Sequence, residues 1–144
     1  MVSGYRLTTH LDEMDFSAIH AYLTGAYWSE NIPYETVKTA LENSICFGVL
    51  TEGGEQIAFG RVVTDKATFA YLADVYVLEA HREQGIAKWI VSEMMDHPQL
   101  QGLRRMLLAT ADAHDFYAKF GFKAFTNPDF FMEKLLFRRY KTLR

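Results

Sequence analysis

The chain has 144 residues, of which 49% are hydrophobic and 23% charged, with a formal net charge of −3. That composition supports a packed core and excludes a disordered chain. The charge balance lacks the basic footprint of a nucleic-acid binder, and no apolar run approaches the ~20 residues of a membrane span, so neither nucleic acid nor membrane is an expected partner.

Tyr5 to Thr9 alternates and is rich in β-branched residues, which predicts a first strand. Phe16, Ile19, His20 and Leu23 follow at helical spacing, with Asp12 and Asp15 as candidate caps and Gly25 as a stop. Pro33 opens a second helix, whose apolar stripe is Val37, Ala40 and Leu41 and whose stop is Asn43. Ile45 to Leu50 reads as a strand. The turn Glu52-Gly53-Gly54 leads into Gln56 to Val63 as its hairpin partner. Phe69 to Leu78 is a further strand, nearly all apolar from Leu72 onward, as a strand covered on both faces would be. A helix from about Ile86 to His97 carries Ile86, Ile90, Val91 and Met94 on one side and stops before Pro98. Arg105 to Ala109 is the next strand, and Ala113 to Phe120 a short helix ended by Gly121. Phe122 to Phe125 and Phe130 to Leu135 are expected as the last strands. The order β-α-α-β-β-β-α-β-α-β-β predicts one α+β domain over residues 1–144, with a helix crossing between the fourth and fifth strands.

Cys46 is the single cysteine, so no intrachain disulfide can form, and its apolar surroundings suit a buried small hydrophobe better than a nucleophile. A lone cysteine and the lack of a signal-like N-terminal segment make a reducing, cytoplasmic setting the default expectation. The five histidines show no ligand spacing, and no metal is expected. The run Arg138, Arg139, Lys141, Arg144 reads as a solvated tail or a strand edge.

Two segments carry chemistry. Arg82-Glu83-Gln84-Gly85-Ile86-Ala87 joins a buried strand to a helix start, where main-chain N–H groups lack internal partners and the helix dipole is positive. A small-residue turn there lets an anion reach the backbone, with Arg82 and Lys88 to add charge. An ordinary strand-to-helix turn is the competing reading of this loop. Downstream, Tyr117 sits on the short helix after the fifth strand. Its phenol can donate a proton to a leaving thiolate, although packing alone also explains a tyrosine there.

Together these segments resemble the GNAT superfamily of N-acetyltransferases. Arg82-x-x-Gly85-x-Ala87 is similar to that family's pyrophosphate loop, and Phe116-Tyr117-Ala118-Lys119-Phe120-Gly121-Phe122 to its Tyr-x-Lys-x-Gly-Phe segment. The element order agrees from Tyr5 to about Leu135. The resemblance implies a mixed, mostly antiparallel sheet of about seven strands with four helices, splayed between the fourth and fifth strands. It implies acetyl-CoA as co-substrate and a small-molecule or peptide amine as acceptor, joined by direct attack. Main-chain groups of Val75, Tyr76 and Val77 would pair with the pantetheine arm. The N–H groups of Gln84, Gly85, Ile86, Ala87 and Lys88 would hold the pyrophosphate, and Tyr117 would protonate the departing sulfur. Homodimers are frequent in the family, and Phe130-Phe131 could serve one.

The chain departs from the family pattern at three places. Glu83 stands where many members have Gly, Thr110 where many have an Asn that reaches the cofactor arm, and Ala73 where some have a Glu base. Asp74, next along, is therefore the candidate base. The segment Tyr27 to Tyr34 is expected to cap the acceptor site, with Trp28 and Glu30 as substrate-binding residues able to hold an amine with an apolar body. A non-catalytic acyl-CoA-binding module is the alternative reading.

Overall fold

Successive side chains of a strand point to opposite faces, and residues 45–51 use both. In the computed structural model, which describes residues 1–141, Phe47 and Val49 pack into one apolar cluster and Cys46 into another. The sheet between these clusters consists of β1 (Tyr5–Thr8), β2 (Ile45–Thr51), β3 (Gln56–Thr64), β4 (Phe69–Val77) and β5 (Arg105–Leu107), in the spatial order β1-β2-β3-β4-β5. The first three pairings are antiparallel and β4–β5 is parallel. A parallel pair needs a crossover, and the helix α3 described below makes it.

The helices are α1 (Phe16–Leu23), α2 (Tyr34–Glu42), α3 (Ile86–Asp96) and α4 (His114–Ala118). Asp15 caps α1 by accepting from the Ala18 N–H at 3.0 Å, whereas Asp12 lies in the preceding 3-10 turn Leu11–Glu13. Pro33 precedes α2, which buries Val37 and Leu41 as its spacing predicts. These two helices bury Ile19, Leu23, Val37 and Leu41 against Phe59 and Tyr76 on one face of the sheet. On the other face α3 buries Ile86, Ile90, Val91 and Met94 against Phe47, Val49, Ile57 and Val62. Phe116 and Tyr117 of α4 pack at the margin of that second cluster. Among the described residues no helix is long and apolar enough to cross a membrane.

The expected sixth and seventh strands do not form, so the sheet has five strands among the described residues rather than about seven. Phe122–Phe125 and Phe130–Leu135 are irregular apart from the 3-10 turn Pro128–Phe130. A strand needs a partner ladder and a face to bury. Here β5 is only three residues long, Pro128 lacks an N–H, and Phe130, Met132 and Leu136 are largely exposed. β5 itself ends at Leu107 instead of Ala109. Of the basic C-terminal run, Arg144 lies outside the described residues; Arg138, Arg139 and Lys141 are exposed.

One irregularity of the sheet lies between β3 and β4. Phe59 pairs with Tyr76, but Arg61 pairs with Ala73, so Gly60 of β3 faces both Asp74 and Val75 of β4. This two-against-one arrangement is a β-bulge, which bends a strand and re-aims its side chains. Asp74 takes a left-handed conformation in it, with φ of 57°, a region that aspartate enters more readily than most residues. Gly60 lets α3 approach the bulge: an added Cβ would stand 2.7 Å from Met94 Cε, 3.2 Å from Ile90 Cγ2 and 3.3 Å from Val75 Cγ2. Gly60→Ala is therefore expected to destabilise the fold by about 1–2 kcal/mol through overpacking, read as a lower urea midpoint with an unchanged m-value.

Candidate active site

The parallel pairing of β4 with β5 ends at Tyr71↔Leu107. Beyond it the two segments face each other across a cavity of about 860 Å³, lined on one side by Leu72 to Val77 and on the other by Leu108 to Thr110. Strand main-chain groups ordinarily find partners. On the β5 side of β4 past Tyr71, no strand among the described residues supplies them, and the Val77 carbonyl is met by a side chain instead. This leaves a row of amide donors and acceptors facing an open slot.

The slot runs to the start of α3. Gly85 is the residue before that helix, has φ of 82°, and gives the first turn no side-chain cap. The N–H groups of the first helical turn thus remain available to an anion. Arg82, Glu83, Gly85, Ile86, Ala87 and Lys88 all line the cavity. Arg82 is only partly free: its Nε donates to the Val77 carbonyl at 2.8 Å, and its Nη2 reaches the Tyr22 hydroxyl at 3.5 Å. The guanidinium therefore latches the end of β4 to α1 while adding positive charge to the slot. Glu83 is exposed, with φ of 64°. Gln84 is not part of the lining; its side chain turns away and donates to the Tyr5 hydroxyl at 3.2 Å.

Tyr117 and Thr110 line the opposite wall. The Tyr117 ring packs edge-on against Phe116 and Phe122. Burial raises its pKa above the ordinary tyrosine value, because a phenolate would lose hydration. Its hydroxyl makes no hydrogen bond to a protein group among the described residues. Thr110 accepts from the Ala113 N–H at 3.0 Å, which leaves its hydroxyl proton free to donate into the slot.

The cavity wall is rich in aromatic residues, with Tyr22, Tyr27, Trp28, Tyr71 and Tyr140 among them. Tyr22 stacks on Tyr76 with centroids 3.8 Å apart, and Tyr27 meets Trp28 edge-on at 5.2 Å. Asp74 lies among them. Its Oδ1 accepts from Trp28 Nε1 at 2.8 Å and its Oδ2 from Arg61 Nε at 2.7 Å. Glu30 is exposed and outside the cavity lining. Cys46 is buried in the α1–α2 core, where burial pushes its thiol up to about 12. It stays protonated at neutral pH and is no nucleophile.

Sequence reasoning missed Arg61, Tyr22 and Tyr140. A signal existed for Arg61: it is the one charged residue within the otherwise apolar run Ile57 to Val63, and a charge in such a strand demands a partner. No comparable signal marked Tyr22 or Tyr140, which long-range packing alone brings to the cavity.

Comparison with known proteins agrees with this geometry. Residues 42–124 match the family described as acetyltransferase (GNAT) domain. A Gibberella zeae protein named as a candidate acetyltransferase is 31% identical over 137 residues, spanning 80% of this chain and 76% of that protein. A solved structure from Xanthomonas campestris pv. campestris, named as a candidate acetyltransferase of the GNAT family, is 42% identical; the match covers 94% of this chain and 96% of that one, with a TM-score of 0.91. A similarly named structure from Deinococcus radiodurans is 18% identical, with 88% and 87% covered and a TM-score of 0.72, a likeness of fold alone.

Proposed function

We propose, from the premise that this chain belongs to the GNAT acetyltransferase family, that it moves the acetyl group of acetyl-CoA onto a primary amine by direct attack, with both substrates bound together. The observation that carries this reading is the edge of β4 that loses its β5 partner after Tyr71 beside the open cavity. The amide groups of a pantetheine arm can lie there as a substitute strand, bonding to the main chain of Val75, Tyr76 and Val77. The pyrophosphate then falls at the N–H groups of Gln84 to Lys88, where the dipole of α3 and the cations Arg82 and Lys88 favour it. Thr110 donates to the arm from the opposite wall.

An alkyl ammonium is mostly protonated at neutral pH and must lose a proton before it attacks. Asp74 is the carboxylate assigned to receive it, since each of its oxygens retains an acceptor site beyond the bond it already makes. The amine nitrogen bonds to the thioester carbon, the carbon–sulfur bond breaks, the sulfur takes its proton from Tyr117, and the second proton shed by the nitrogen passes through solvent and restores the phenol. The aromatic wall at Trp28 suits an amine with an apolar body, and Glu30 on the outer surface attracts its charge.

The test is CoA release from acetyl-CoA across polyamines, aminoglycosides, amino acids, arylamines and short peptides. Amine-dependent release is expected with one of these classes, together with a rise in Tm on adding acetyl-CoA. Absence of both signals would overturn the reading.

A further inference from the structure

We propose that Arg61 is a positioning residue for the acceptor: through Asp74 it fixes the indole of Trp28 in the aromatic wall of the cavity. The proposal rests on the acetyltransferase reading for what the acceptor is, but the clamp itself is independent of that reading. Residues 24–33 are ordered largely by their own bonds, such as Asn31 N–H to the Thr24 carbonyl at 2.9 Å and Ser29 Oγ to the Leu23 carbonyl at 2.6 Å. Among the described residues, the Trp28–Asp74 hydrogen bond is the one polar side-chain tie from this loop to the sheet. Trp28 is 44% exposed, so packing alone holds its indole weakly.

Asp74 can serve as the anchor only while its own direction is set. It sits left-handed in the bulge of β4, where the ladder to β3 is interrupted. Arg61 sets that direction from the neighbouring strand. Its Nε donates to Asp74 Oδ2 at 2.7 Å and its Nη1 to Ser44 Oγ at 3.1 Å, and Ser44 Oγ donates in turn to the Ala40 carbonyl of α2 at 2.7 Å. Arg61 and Asp74 side chains are only 19% and 13% exposed, so water competes poorly for this pair. A carboxylate is suited to the middle of such a chain because it accepts one donor on each oxygen. The rigid fork of Arg61 holds two directions at once, which a single ammonium cannot copy. The line from α2 through Ser44, Arg61 and Asp74 to Trp28 thus carries the position of the sheet out to the acceptor wall.

The experiment uses Arg61→Met and Arg61→Lys in the full chain, with folding checked by circular dichroism. The first readout is acrylamide quenching of Trp28 in a Trp89→Phe background, which needs no substrate. Arg61→Met is expected to raise the quenching constant of Trp28, and Arg61→Lys to restore it in part. The second readout is kinetic. Arg61→Met should raise the KM for the amine about tenfold, the scale of one lost charge-assisted hydrogen bond, while the acetyl-CoA dissociation constant stays within about twofold. Trp28→Phe should add little in the Arg61→Met background, because both changes break the same chain. Unmoved quenching in both variants would overturn the clamp. Equal weakening of amine and acetyl-CoA would reduce Arg61 to a general structural role and overturn the proposal as well. If the wild type turns over no amine, the acetyltransferase reading fails, and the quenching result still decides the clamp. If Arg61→Met does not fold, Arg61→Lys carries both readouts: wild-type quenching and wild-type KM in it would overturn the fork argument.

Discussion

Tyr117→Phe is expected to lower kcat by about a hundredfold or more, within the range that a positioned general acid contributes, while acetyl-CoA raises the Tm of the variant as it does that of the wild type. The substitution is clean. The ring keeps its edge-on contacts with Phe116 and Phe122, and loss of the hydroxyl strands no partner among the described residues. A thiolate leaving the thioester takes up a proton, and a phenol kept neutral by burial has one to give. The sign of the pH dependence follows. Burial raises the folded-state pKa of Tyr117, so the acid form is fully present below the ordinary tyrosine value and is lost only as pH climbs through the raised one. The wild-type kcat profile should therefore fall on an alkaline limb above about 10, and the Phe variant should lack that limb. Equal turnover in the two proteins would remove Tyr117 as the acid.

Gly85→Glu should weaken acetyl-CoA binding by at least about tenfold, whereas Gly85→Asn should stay close to wild type. The pair separates two causes. An added Cβ at Gly85 meets no atom within 4 Å, so crowding inside the protein is not the cost. The φ of 82° is: a side chain there is strained by roughly 1–2 kcal/mol, and asparagine tolerates that conformation better than glutamate does. The Glu carboxylate also stands at the uncapped start of α3 and competes with the pyrophosphate for the same N–H groups. Isothermal titration with acetyl-CoA reads both variants. Wild-type affinity in Gly85→Glu would exclude this loop as the anion site. Equal losses in both variants would assign the effect to backbone strain.

Much of this architecture was legible from neighbours in sequence. The stripe Ile86, Ile90, Val91, Met94 announced α3 because helical periodicity is a property of residues three and four apart. The turn at Gly53-Gly54 announced the β2–β3 hairpin, and the Gly85 loop announced the uncapped helix start, for the same local reason. The apolar residues of Phe130 to Leu135 were legible too, yet the segment formed no strand, because a strand is completed by another strand and β5 offers only three paired residues.

By itself the sequence determined the helices, the hairpin, the glycine loop and the phenol on α4, since each depends on spacing within a few residues. Only the tertiary structure decided the register break that puts Asp74 in a bulge, the joining of Arg61 to Asp74 across two strands, and the approach of Trp28 from 46 residues away. Those contacts depend on how the β3–β4 ladder slips by one residue under α3. At that slip Gly60 leaves no room for a side chain beside Met94 and Ile90, a three-body fit that no local pattern encodes.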